Sequence, residues 1–478
     1  MEGAQGQASV VSGRFGLWAA VALTAVTASA VAMEWYAVAA VPFAAVFVLW
    51  ALYHVESLLL AVVAITPLSV TLKESDFNIG LSLPGEVLLA GLTFFALIRF
   101  LHQGRLPWPT LKQPLTWVIL AQLAWMAVTV LFSEMPLVSF KAVLSRVWFL
   151  VPMYFILGTA FERPWARYLV FPLYAFSLAV AALWTLYVHS QYGFSKETST
   201  WVMYPFYKEH TVYGMALAFI YPWSIWAAWR PQSLVWRFIH VALWALLTVA
   251  LVFSYTRAAW LSLVAAGAVY LVFAWRISAK QIFVLAIVGL GTLWATQDQW
   301  MRIFTKNDTV SSDNFSEHIQ SASNISTDAS NLERLNRWAS AVRMWQERPH
   351  VGWGLGTYQF QYAPFQHSSQ LTIISTNAGD LGNAHSEYIG PLAELGWPGL
   401  LLVLALITAL YATGVRAYHR MQPGRDRTLL LLALLGLTTY WVHGVLNNFL
   451  DMDKGAVLVW MSAAMVAWAD RRTDSHFS

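Results

Sequence analysis

Runs of about twenty apolar residues, separated by short polar connections, repeat along almost the whole 478-residue chain. A helix needs roughly 20 such residues to cross a bilayer. About fourteen runs approach that length, centred near Ala25, Val46, Ala64, Gly91, Ala124, Phe155, Ala179, Phe219, Trp244, Ala266, Val288, Leu404, Leu435 and Met461. Several are short or share a proline, so the pattern predicts about 12–14 transmembrane helices in an all-α polytopic membrane protein. The repetition breaks once, between about Gln297 and Glu387. Within that break the stretch from Lys306 to Asn331 is rich in Ser, Asn and Asp, which predicts a flexible segment. From Asn331 onward Leu332, Leu335, Trp338, Ala339, Val342 and Trp345 recur at helical spacing until Pro349, which predicts an amphipathic helix lying at the membrane surface. The expected organisation is therefore N-terminal membrane helices over 1–296, a loop domain over 297–388 with 306–331 flexible, and C-terminal membrane helices over 389–478.

The polar connections orient the chain, because Lys and Arg accumulate in short cytoplasmic loops. With the N-terminus inside, the inner connections receive 16 of the 29 basic residues, among them Arg99, Arg105, Arg163, Arg167, Arg416, Arg427, Arg471 and Arg472. The short outer connections hold 7, namely Lys73, Lys141, Arg146, Lys196, Lys208, Arg257 and Lys454, and the long loop holds 6. Every second connection is basic. Both termini are thus expected inside and the long loop outside. The first apolar run, from about Phe15 to Met33, has no convincing small-residue cleavage site and is expected to stay as a span.

Composition sharpens the class. Hydrophobic residues make up 58% and charged residues 11%, with a mean hydropathy of +0.53, against about 45–50% and about 25% in soluble domains. A soluble enzyme, a nucleic-acid binder and a disordered scaffold are excluded, and the net charge of +4 reflects topology. The absence of Cys removes thiol nucleophiles, thiolate metal sites and disulfides.

Candidate chemistry gathers in and around the long loop. His385, in NAHSEY, stands just before the apolar run that begins at Ile389, where an imidazole can be neutral and accept a proton from a hydroxyl. The plainer alternative is an interfacial histidine that hydrogen-bonds its neighbours. Arg257, in FSYTRAAW, sits at an outer span end against the positive-inside preference. It either snorkels to headgroups or grips an anion, for which a planar guanidinium suits a phosphate or diphosphate. Arg334, Arg337, Arg343 and Arg348 add four cations; Arg334 shares a helical face with Trp338, while Arg337 is spaced to pair with Glu333. Asp451 and Asp453 form a DxD that could hold a divalent cation, or simply solvate a short turn beside Lys454. The glycines of VGWGLGTY lack the preceding strand and following Lys of a nucleotide loop. Ionisable residues within spans, chiefly Glu86, His189, His240, Glu394 and His443, form no evident relay of the kind a coupled transporter carries.

The order TRAAW, then ERLNRWASAVRMWQERPHVGWGLGTYQF, then AHSEYIGPLAELGWPGL resembles the O-antigen ligase and Wzy-type polysaccharide polymerase superfamily over roughly residues 253–410. The matching positions are Arg257; Arg334 to Trp338 with Pro349, Gly352 and Gly354; and His385, Ser386, Glu387, Glu394, Gly396 and Gly399. The resemblance implies a GT-C-like membrane glycosyltransferase that works without metal or other cofactor. It would move a glycan from an undecaprenyl diphosphate carrier to a saccharide or lipid A-core acceptor, at the outer face of the bacterial inner membrane. It also implies His385 as the base or acceptor-orienting group and Arg257 and Arg334 as diphosphate ligands, with Arg337, Glu387 and Ser386 as secondary candidates. Ser at position 386, where the ligases often have Asn, and the 306–331 insertion bring the chain nearer to an O-antigen or exopolysaccharide polymerase than to a lipid A-core ligase. The alternatives are a transporter or flippase of a lipid-linked glycan, with the loop as a lid, and a structural subunit of an envelope assembly.

Overall fold

In the computed structural model, residues 35–71, 82–104, 109–277, 329–371 and 382–474 are described, with a few isolated positions outside these ranges. The runs centred near Ala25 and Val288 and the stretch 306–328 lie outside the described residues. The described chain is almost entirely helical. Its long helices are α1 (Tyr36–Ile65), α2 (Gly85–Gln103), α3 (Pro114–Val130), α4 (Pro136–Leu150), α5 (Pro164–Ser190), α6 (His210–Trp229), α7 (Leu234–Phe253), α8 (Arg257–Ala274), α9 (Ala329–Glu347), α10 (Ile389–Arg420), α11 (Arg425–His443) and α12 (Asp453–Asp474). A two-residue antiparallel ladder pairs Val70 with Leu83 and Thr71 with Ser82.

Among the described residues, seven segments are long and apolar enough to cross a membrane: Ala45–Leu68, Gly85–Gln103, Pro136–Ala160, Pro164–Ser190, Leu234–Phe253, Arg257–Ala274 and Ile389–Arg420. The chain is an all-α polytopic membrane protein. The runs centred near Val46 and Ala64 belong to one helical element whose backbone leaves helical geometry at His54. Just beyond that break Glu56 pairs with Arg163 at 3.3 Å.

The most buried helices are α6, α11 and α12, and none of them is among the seven. The apolar runs of α11 and α12 are bounded by charged residues, and small residues let the enclosed helices approach closely. A Cβ on Gly436 of α11 would lie 2.6 Å from the Phe219 ring of α6, and one on Gly214 of α6 would lie 2.6 Å from Thr256.

The charges sort to the two ends of α11 and α12. At one end Arg167 forks onto Asp426 at 2.9 and 3.1 Å, Arg472 joins the same carboxylate at 3.0 Å, and Arg471 pairs with Glu162 at 2.8 Å. At the other end Arg146 pairs with Asp451 at 2.5 Å, and the buried Lys454 donates to Thr66 O and Ser69 O while facing Asp453. These are the groups that the basic alternation assigns to the inner and outer sides respectively. The two acids of the DxD are each taken by a different cation.

Candidate active site

The site is built where the loop region meets α10, and glycines make the joint. At Gly396 (φ +72°) α10 kinks, which frees the carbonyls of the turn before it. The turn after α9 takes them up: Trp353 N donates to Ala393 O at 3.1 Å, Gly354 N to Glu394 O at 2.8 Å, and Trp125 Nε1 of α3 to Leu395 O at 2.9 Å. Gly352 (φ +66°) passes so close that a Cβ would sit 2.3 Å from the Glu394 carbonyl carbon. The Glu394 carboxylate then accepts from Tyr358 N at 3.0 Å. The amides of Trp353 and Gly354 are thus spent on α10 and that of Gly352 on Arg348 O, so these three do not cradle a phosphate. Beside it Ala341, Met344, Trp353, Tyr358, Tyr362, Ala384 and Ala393 form a small apolar core of their own.

Helix α9 presents its polar stripe to the protein. Glu333, Asn336, Arg337 and Ser340 are buried together with Ala341 and Met344, whereas Leu335 is exposed and Trp338, Val342 and Trp345 are half-buried. Its apolar stripe is only partly covered, although the indole nitrogens of Trp338 and Trp345 are themselves buried. Arg337 pairs with Glu333 at 2.7 Å, as the four-residue spacing predicts, and also donates to Asn383 O at 3.2 Å. Arg337 thereby holds the turn that leads to His385. Arg334, one residue group around the helix, donates from Nε to Leu446 O at 3.2 Å in the α11–α12 connection.

His385 adopts φ +47°, a left-handed conformation uncommon for a residue with a side chain. Its neighbours impose it. The His385 N–H is taken by Asn383 Oδ1 at 3.0 Å, and Ser386 Oγ accepts the amides of Tyr388 and Ile389 at 3.2 and 3.3 Å, capping the start of α10. Glu387, fully inside, accepts from Phe449 N at 2.6 Å, Leu450 N at 2.9 Å and the Tyr440 hydroxyl, while its own amide donates to Gly444 O at 2.8 Å. Ser386, Glu387 and Arg337 are therefore engaged with protein and fix the geometry around His385. The His385 imidazole makes no hydrogen bond among the described residues. Burial, and after it the charges of Arg334 and Arg337, push its pKa down to about 3, so the ring is neutral.

Residues 240–404 match the model of the Wzy_C family, described as O-antigen ligase. Over that stretch, about a third of its length, the chain is similar to O-antigen ligases. The matched stretch includes Arg257, Arg334, Arg337, His385, Ser386, Glu387 and Glu394. No curated protein matches the chain.

Within the matched stretch Arg257 opens α8, directly after Thr256, whose Oγ1 donates to His210 O at 2.9 Å. The Arg334 charge acts on His210, His385 and His443 alike. The structure thus brings the α9 arginine, His385 and two further histidines to one end of the bundle, with Arg257 next to His210 through Thr256. His210 was not singled out by its sequence surroundings, and His443 stood out only as an ionisable group near a span end. Arg146 was also missed. It projects from α4 into the same region, where its charge is felt by Glu387, Glu394 and Tyr440 besides Asp451.

Proposed function

We propose that the chain transfers a glycan from an undecaprenyl diphosphate carrier to a saccharide acceptor at the extracytoplasmic face of the bacterial inner membrane. The observation that carries this reading is His385: a neutral imidazole with no hydrogen bond, held in left-handed backbone beside Arg334, within the stretch similar to O-antigen ligases. An acceptor hydroxyl oxygen attacks the anomeric carbon, and its proton passes to a His385 ring nitrogen. The bond from that carbon to the diphosphate oxygen breaks, and the departing diphosphate keeps the electron pair. Arg257 and Arg334 offset the charge that grows on it, which lowers the barrier without ATP or a metal. Arg337 positions the 382–385 turn and touches no substrate.

The test is transfer by purified protein with an undecaprenyl diphosphate-linked repeat unit and EDTA throughout, read by mass spectrometry of lipid and glycan products. Chain extension identifies a polymerase; a glycan on lipid A-core identifies a ligase. Turnover that collapses in EDTA and returns with a divalent cation would overturn the metal-free scheme, and the Asp451–Asp453 pair would then be re-examined. An unaltered donor despite demonstrated binding would overturn transfer itself.

A further inference from the structure

The connection between α11 and α12 contains unspent hydrogen-bonding groups beside Arg334. His443, the last residue of α11, is fully buried, and neither ring nitrogen has a partner. Asn447, four residues on and also buried, leaves Nδ2 without a partner. Leaving buried polar atoms unpaired is costly, so an unpaired pair beside a charged group calls for an explanation. Here both lie on the segment that Arg334 touches. Arg334 Nε donates to Leu446 O, Leu446 N donates to His443 O at 3.1 Å, and Glu387 N ties the adjacent Gly444 O to the turn carrying His385. The ring of Phe449, 5.0 Å from that of His443, and the nearby His210 complete its surroundings. The orphaned Asn447 atom is a pure donor, and a neutral imidazole supplies one more. A diphosphate is all acceptors.

We propose that His443 and Asn447 donate hydrogen bonds to the diphosphate of a lipid-linked donor held at Arg334, making the α11–α12 connection part of the donor site. This rests on the glycan-transfer reading and extends it to residues beyond the matched stretch 240–404. Small side-chain shifts of the kind common on binding open the way to these atoms.

The experiment uses the full chain in nanodiscs, with undecaprenyl diphosphate lacking any glycan as the binding probe and the glycan-loaded donor for kinetics. His443→Leu and Asn447→Ala are each expected to weaken binding of the probe about tenfold. KM for the loaded donor should rise more than kcat falls, and thermal stability should change little, because no hydrogen bond of the His443 ring or of Asn447 Nδ2 is lost. His443→Gln, which keeps a donor, should recover part of the affinity. Wild-type affinity in both His443→Leu and Asn447→Ala would overturn the proposal. So would lost stability that tracks lost binding in every variant, His443→Gln included, since that marks a structural role. A wild-type chain that binds no undecaprenyl diphosphate would instead bring down the transfer reading itself.

Discussion

His385 owes its chemistry to the residues that occupy its neighbours. Asn383 and Ser386 spend their side chains on backbone amides, Glu387 is clamped to the α11–α12 connection, and the imidazole alone is left uncommitted. His385→Ala should therefore fold and bind donor normally while transfer falls at least 100-fold, the lower range for losing a general base; thermal denaturation and product mass spectrometry check both halves. Ser386→Ala removes a helix cap and should cost about 1 kcal/mol of stability, with acceptor preference unchanged in a competition between acceptors. The pH behaviour follows from the lowered His385 pKa of about 3 against 6.5 for a free imidazole. The unfolded chain binds this proton first as pH falls through 6.5, so the stability contributed by keeping the ring neutral is present above that value and lost toward pH 3. In catalysis kcat/KM reports the free enzyme and should show no limb from His385 between pH 5 and 8. A bound diphosphate opposes the fields of Arg334 and Arg337 and raises this pKa, so the acid limb of kcat should lie at higher pH. Coincident limbs near 6.5 in both profiles would contradict the burial of the ring. The motif around His385 was legible because a short order of residues carries it. His443 and Asn447 were not, since what distinguishes them is a missing partner in space.

Among the elements, the glycine turn and the α10 kink act as one unit. Each requires positive φ, and each supplies the other's missing partners: carbonyls freed at Gly396 meet amides from 353 and 354. Gly352→Ala should cost about 2–6 kcal/mol, from left-handed strain plus a Cβ driven into the Glu394 backbone. Activity should fall with the melting temperature, and a wild-type melt would refute the coupling. Helix α9 shows how far periodicity reaches. Its apolar spacing correctly announced a helix, which begins at Ala329, two residues before the sequence pattern places it. Yet the side facing the protein is the stripe of Glu333, Asn336, Arg337 and Ser340, because those groups find partners there, while Trp338 and Trp345 are only partly buried.

For the whole molecule, the inner-assigned and outer-assigned charges meet at opposite ends of the bundle, which turns the basic alternation into a test of sidedness. The chain has no cysteine, so single substitutions report cleanly. Gln422→Cys, in the α10–α11 connection, should react with an impermeant maleimide only in inside-out vesicles, and Lys196→Cys only in right-side-out cells; the reverse pattern would invert the topology. The membrane class, the helical architecture and the ligase-like order of motifs, which drew attention to Arg257, Arg334 and His385, were legible along the chain. These are carried by local composition, periodicity and short-range order. Which helices are enclosed is settled in space, because the apolar runs of α11 and α12 read along the chain like those of the less buried helices around them. The tertiary structure likewise decided which polar side chains are spent and which remain, since a hydrogen bond between Arg334 and Leu446, or the lack of one at His443, joins residues far apart in the chain.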